Sequence, residues 1–457
     1  MCMRQFTLKA LLRDGPTTAI DFEAGIRDVS NWCASQDGKQ QVNCGHVCCA
    51  AFARAAVLDG PDIAEQGHEM RTLFTKILPA TAARAKAEGR CMGWNATIPD
   101  KLQLTQILSI IDDELRQGAL GVGAPVGYMT HGIASCEMHK HQEIAGKCGR
   151  ITNAHTRFAG VLPPNSGALG IQELVCNAMV LNAPVICAHL NSIQDWEFTI
   201  PFVNKARANG HKIFGEVHPH NAGSTAAAAD AILPDGMKSL GISYEDIYCV
   251  EPCERWTKEI YDKRMETPGR TIVIENNKEE DIVKWMADPE TILCSDAMPA
   301  LDSKGDTFPW DTPFEGHSVH PRTSGTRGKF LCLVREDNGM DVPLMMAISR
   351  MTHLPAKCFF ELGGIPHFRF KGRMQEGCDA DIVVFDPDTV TDNSNCGVGN
   401  GLLPTTGIPL SWSTVSWLSR ILKLSQSFRE SPFVFLLSPE VASIRLRSTR
   451  PIVPAWE

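Results

Sequence analysis

No apolar stretch in this 457-residue sequence reaches the roughly 20 residues that a membrane-spanning helix needs, so such a helix is not expected. Long basic runs are missing too. The formal net charge is −9 and the pI is near 5.9, which argues against nucleic acid as a partner. The opening MCMRQFTLKALLRDG has neither a signal-peptide apolar core nor a small-residue cleavage site, so the expected location is the cytoplasm. A disulfide framework is likewise absent. There are 17 cysteines, an odd number, scattered through apolar segments at Cys176, Cys187, Cys294 and Cys332. That usage points to free thiols in a reducing compartment. The stretch NCGHVCCA lacks a second ligand pair at zinc-finger spacing, so no structural zinc is expected there.

What is present is a large reserve of apolar residues, 43% of the chain, enough for one large core or two moderate ones. Short apolar runs alternate with longer amphipathic ones over residues 15 to 360. PTTAIDFEAG, RITNAHTR, APVICAHLNS, HKIFGEVHPH, RTIVIENN and TILCSDAMP read as strands, being rich in β-branched residues and bounded by turn formers. GIQELVCNAMVLN and DWEFTIPFVNKARANG carry apolar residues at helical spacing and end near Asn or Gly. Strand–helix–strand in repetition predicts a mainly parallel sheet, and eight such units would close a (β/α)8 barrel.

Polar residues fall at the ends of the predicted strands. Glu23, His155, His189, the pair His218 and His220, and Asp296 each close one. In a barrel of this kind the C-terminal rim of the strands carries the active site. A buried strand that ends on an unpaired carboxylate, as TILCSD does, costs several kcal/mol. Imidazoles and carboxylates converging at one rim form a zinc-type ligand set. Beyond the barrel, FKGRMQEGCDADIVVFDPDTV alternates apolar residues over Ile382 to Phe385 and reads as a hairpin-rich β segment.

These residues resemble the amidohydrolase superfamily, and within it the N-acyl-D-amino-acid deacylases (D-aminoacylases), over roughly residues 13 to 409. GPTTAIDFEAG is similar to the second barrel strand, ICAHL to the fifth, GEVHPH to the sixth and CSDAMP to the eighth. GRMQEGCDADIVVFDP is similar to the segment that returns to a small β-sandwich. GALGVGAPVGY, AHTR and HPRTSGT are similar to the deacylase branch. The resemblance implies zinc held by Glu23, His189 and a sixth-strand histidine, with His220 first choice and His218 close behind, since alternation points both to one side. It implies Asp296 as the general acid/base and Arg322 as a clamp for the substrate carboxylate, with Arg157 and His155 lining the pocket. Glu23 stands where better-known deacylases have Cys, which points towards the N-acyl-D-glutamate deacylases. The fourth strand has no Lys of the kind hydantoinases carboxylate. The expected partner is a small-molecule N-acyl amino acid; oligomeric state is open.

Two departures from the family shape the expectations. No His-x-His precedes Glu23, so the expected fold is a (β/α)8 TIM-like barrel lacking its first strand, N-terminally truncated. One zinc is then tightly bound, and the second metal position is lost with that strand. After TTGIP the sequence changes character. Starting at the third base of the Ser411 codon, the genetic code permits a reading similar to the family's closing β-sandwich strand, so residues 410–457 are expected to be a frameshifted or disordered tail. The expected organisation is an incomplete barrel over 1–360, a β-sandwich remnant over 361–409, then that tail. The competing expectations are a hydantoinase- or dihydroorotase-like cyclic amidohydrolase, or an inactive truncated pseudoenzyme.

Overall fold

The computed structural model describes residues 5–37, 39–69, 72–226, 229–250, 253–265, 271–302, 306–336 and 339–412. Strands β1 (Thr18–Ile26), β2 (Asn43–Cys49), β3 (Gly121–Pro125), β4 (Ile151–His155), β5 (Val185–Cys187) and β6 (Ile213–Val217) lie side by side in chain order, all parallel. The chain then leaves the sheet. It builds a separate three-stranded antiparallel sheet from β7 (Ala222–Ala226), β8 (Ile247–Cys249) and β9 (Thr271–Glu275), with β9 in the middle. It returns as β10 (Ile292–Leu293), parallel to β6. The main sheet therefore has seven strands, in the order β1-β2-β3-β4-β5-β6-β10.

This is a TIM-like barrel wall that stays open. Among the described residues β1 and β10 do not pair with each other. Their edges line a shared cavity of about 740 Å³. Residues inside the sheet's curve, Phe22, Val47, Leu120, Ile151, Ile186 and Ile292, pack with Phe359 and Phe368. Phe22 and Phe359 meet edge to face at 4.8 Å. Helices cover the outer face. Lys101–Arg116 shows why they form: Asp100 and Gln103 make a capping box, and Ile107, Ile111 and Leu115 recur every four residues on the buried side. No described helix is long and apolar enough to cross a membrane.

The two helical readings hold, as Gly167–Leu181 and Trp196–Ala208. The first stops at Asn182, which takes a left-handed conformation, φ 50°. One strand reading needs correcting. RTIVIENN is a strand, but it is β9 of the antiparallel sheet and not a barrel stave; alternation identifies a strand without naming its partner. Two barrel strands, β2 and β3, come from NCGHVCC and GVGAP, whose glycines and cysteines give a weak strand signal. At Gly123 the sheet leaves no choice, because a Cβ there would lie 2.5 Å from the Glu23 carbonyl oxygen. Near the end of the described chain, β11 (Ile382–Val384) pairs antiparallel with β12 (Leu410–Trp412). The first three residues of the expected tail thus belong to a strand, and residues 413–457 lie outside the described residues.

Candidate metal and catalytic site

Three barrel strands build one cluster. Glu23 lies in β1, His155 is the last residue of β4, and His189 follows β5 after Ala188. The His155 Nδ1 is 2.9 Å from the His189 Nε2 and 3.2 Å from the Glu23 Oε1. The His189 Nε2 to Glu23 Oε1 distance is 3.3 Å. Among the described residues this is the group of three or more His, Cys, Asp or Glu side chains whose ligand atoms lie within 4.8 Å of one another. The sequence supports it locally. Gly127 leaves room for the His155 ring, since a Cβ there would run into that ring. The Tyr128 ring lies over it at 5.1 Å, and the Tyr128 hydroxyl meets the Thr225 hydroxyl at 2.6 Å.

The fit to a metal ion can be tested on these distances. Ligand atoms about 2.0–2.1 Å from a tetrahedral zinc stand about 3.3 Å apart. The three edges observed, 2.9, 3.2 and 3.3 Å, are close to that spacing. One carboxylate and two imidazoles is a ligand set known for catalytic zinc, and it leaves a fourth position free. The electrostatics agree. Burial works against the Glu23 carboxylate, but the His189 charge and hydrogen bonds from His155 and His189 hold its pKa well below the ordinary range. Burial likewise opposes charge on His189; Glu23 and Asp296 override it and raise its pKa to about 9.

Asp296 opens onto the same cavity as the cluster. It follows β10, and its backbone is left-handed, φ 46°. His189 also has positive φ, 27°. Non-glycine residues in this region are strained, and such strain concentrates at functional sites. Burial raises the Asp296 pKa despite the nearby Arg322 charge. The buried Arg322 guanidinium contacts Asp296 at 2.6 Å and donates to the Ser224 carbonyl at 2.8 Å. Arg322 thus holds the carboxylate that closes TILCSD.

The structure rearranges the remaining site expectations. His155 was expected to line the pocket, and it joins the ligand group. His218 and His220 do not join it, nor do they line the cavity. β6 ends at Val217, so both lie past the point where alternation sets direction. His218 Nδ1 is 3.2 Å from the Asn191 Nδ2. His220 Nε2 is 3.4 Å from the Thr326 hydroxyl, and its ring packs on His320 at 5.6 Å. Burial lowers the pKa of both well below that of free imidazole. They brace the loops behind the site. Arg157 is tied bidentately to Glu173, at 2.6 and 3.1 Å, and is not a cavity residue. Sequence reasoning missed Glu216, which lies in β6 and lines the cavity; burial pushes its pKa up to about 7. The signal was its place in GEVHPH, one step before the strand end.

Comparison with known proteins gives the site a context. No protein-family profile matches the chain. In sequence it is 25% identical over 380 residues to a D-aminoacylase of Alcaligenes xylosoxydans xylosoxydans, spanning 77% of this chain and 72% of that protein. It is 24% identical over 301 residues to an N-acyl-D-glutamate deacylase of the same organism, spanning 62% of this chain and 55% of that protein. The fold is similar to that of a solved N-acyl-D-glutamate deacylase from Bordetella bronchiseptica, described as complexed with zinc and a phosphonate mimic of the tetrahedral intermediate. The TM-score there is 0.64 at 17% identity, covering 90% of this chain and 81% of the other. A solved D-aminoacylase, described as having a binuclear metal center with one-metal activation and second-metal attenuation, gives a TM-score of 0.66 at 19% identity, covering 91% and 82%. The chain is similar in sequence to a D-aminoacylase and in fold to solved D-aminoacylases. With them it shares a barrel architecture.

Proposed function

We propose that this D-aminoacylase relative hydrolyses the linear amide bond of N-acyl-D-amino acids, with one zinc held by Glu23, His155 and His189. The observation that carries the reading is the cluster of metal-type ligands facing the same cavity as Asp296. A zinc ion at such a site lowers the pKa of bound water from about 15.7 towards 7 and polarises the amide carbonyl. The chain's own groups do the rest. Asp296, with its raised pKa, takes a proton at its carboxylate from the attacking water and returns it to the departing amine nitrogen. Arg322 positions that carboxylate through the 2.6 Å contact and offers a guanidinium to the substrate's own carboxylate. Tyr128 packs on His155 and fixes its ring plane.

The test uses the full chain loaded with zinc and assayed on N-acetyl-D-amino acids, their L-enantiomers and a hydantoin. Hydrolysis of the D-series that stops on chelation and returns with zinc is the expected result. Asp296→Asn should keep its zinc and lose about 10²- to 10⁴-fold in kcat. A protein that retains no zinc and cleaves none of these amides would support the inactive-scaffold reading instead.

A further inference from the structure

The cavity that holds the ligand cluster does not end there. It continues down the inside of the open seam, past Ile20 of β1 and Leu293 of β10. Beyond them Ile348 and Met351 of the helix Leu344–Met351, Val383 of β11 and Ile408 wall it. Lys371 and Asp381 line its far part. The Thr18 hydroxyl, at the start of β1, donates to the Asp381 carboxylate at 3.4 Å. From Thr18 to Glu23 is five residues of strand, about 17 Å at the usual rise. Charged groups along this stretch are engaged locally. Lys371 contacts Asp379 at 2.8 Å and Asp381 at 2.7 Å, and Asp14 accepts from the backbone amides of Arg327 and Gly328. Two methionines on the lining stay open to solvent: Met345 is 71% exposed and Met374 is 88% exposed. Exposed apolar side chains continuous with a cavity mark a place for an apolar ligand, and methionine adapts its shape to one.

A cavity of about 740 Å³ is in the range that takes drug-sized ligands, far larger than an N-acetyl amino acid. In the hydrolase reading Arg322 meets the substrate carboxylate on the side where it bonds the Ser224 carbonyl. The acyl group then leaves the scissile carbonyl on the other side, towards the seam. From this we infer that the seam is an acyl-chain channel, and that the site takes N-acyl amino acids whose acyl group is a long aliphatic chain. Three bonds of an extended chain span about 3.6 Å, so about 17 Å accommodates roughly 12 to 14 carbons. The inference rests on the hydrolase reading above and specifies its acyl group. The amino-acid side chain does not enter it.

Two measurements on the zinc-loaded full chain test this, both below the micelle concentration of the compounds used. The first is kcat/KM for N-acetyl-, N-octanoyl- and N-dodecanoyl-D-leucine. The second is calorimetric binding of acetate, octanoate and dodecanoate, which need no turnover. Burying each methylene favours the longer chain about threefold at least, so dodecanoyl should exceed acetyl by about a hundredfold or more in both series. Val383→Trp narrows the channel, and Met345→Glu puts a charge on its exposed rim. Each should lower the dodecanoyl-to-acetyl ratio of kcat/KM at least tenfold. A ratio near one in the parent, or a high ratio that neither variant moves, overturns the inference. If none of the three amides is hydrolysed, the hydrolase reading falls and the binding series decides the channel alone. Dodecanoate bound no more tightly than acetate, or not at all, would then overturn it.

Discussion

Replacing His155 and His220 in separate variants tests which imidazoles make the metal site. His155 contributes two of the three edges of the ligand triangle, the 2.9 Å approach to His189 and the 3.2 Å approach to Glu23. Its removal leaves a two-point site. Losing a residue that merely supports a metal ligand costs 10- to 100-fold in affinity, so losing a ligand should cost more. His155→Ala is therefore expected to weaken zinc binding by at least about 100-fold, which is about 2.8 kcal/mol. His220→Ala should leave affinity within about threefold, since its Nε2 reaches the Thr326 hydroxyl and not the cluster. Its cost should instead be in fold stability, about 1–3 kcal/mol for truncating a buried side chain. Zinc affinity would be read by competition with a chromophoric chelator and stability by urea unfolding of the metal-free protein. The reasoning is refuted if His220→Ala abolishes zinc binding while His155→Ala binds like the parent.

Three further outcomes follow from the same structure. Zinc uptake at pH 7 should release about one proton from His189, whose pKa is raised to about 9 without metal, and affinity should fall about tenfold per pH unit below 9; a pH-stat titration with no proton release would contradict this. Burial lifts the Asp14 carboxyl from 3.8 to about 6. Between those values the folded chain holds a proton that the unfolded chain has released, so Asp14 makes stability fall as pH rises, by about 3 kcal/mol in all. Asp14→Asn should remove that slope, and unfolding curves at pH 4 and pH 7 that keep it would exclude the idea. Glu137 sits fully buried against Arg54 at 2.5 Å, so Glu137→Ala strands a buried cation and should cost about 3–5 kcal/mol in urea unfolding; a loss below 1 kcal/mol would show that water or other groups satisfy Arg54.

Which side chains gather at the candidate site was largely legible in the sequence, because polar residues near strand ends declare themselves. Glu23, His155, His189 and Asp296 all stand out as polar residues closing apolar runs. The apolar periodicity of Gly167–Leu181 likewise fixed a helix without reference to its neighbours. Convergence was another matter. Which histidines meet depends on how β4, β5 and β1 are set across the sheet, with Pro125 opposite His155 and Cys187 opposite Gly215 in the ladders. It depends also on a strand stopping at Val217, one residue too early for His218 to face inward. Local pattern records a residue's chemistry and its side of a strand. Only the tertiary structure, by setting register, strand ends and the open seam between β1 and β10, decided which of those groups share a cavity.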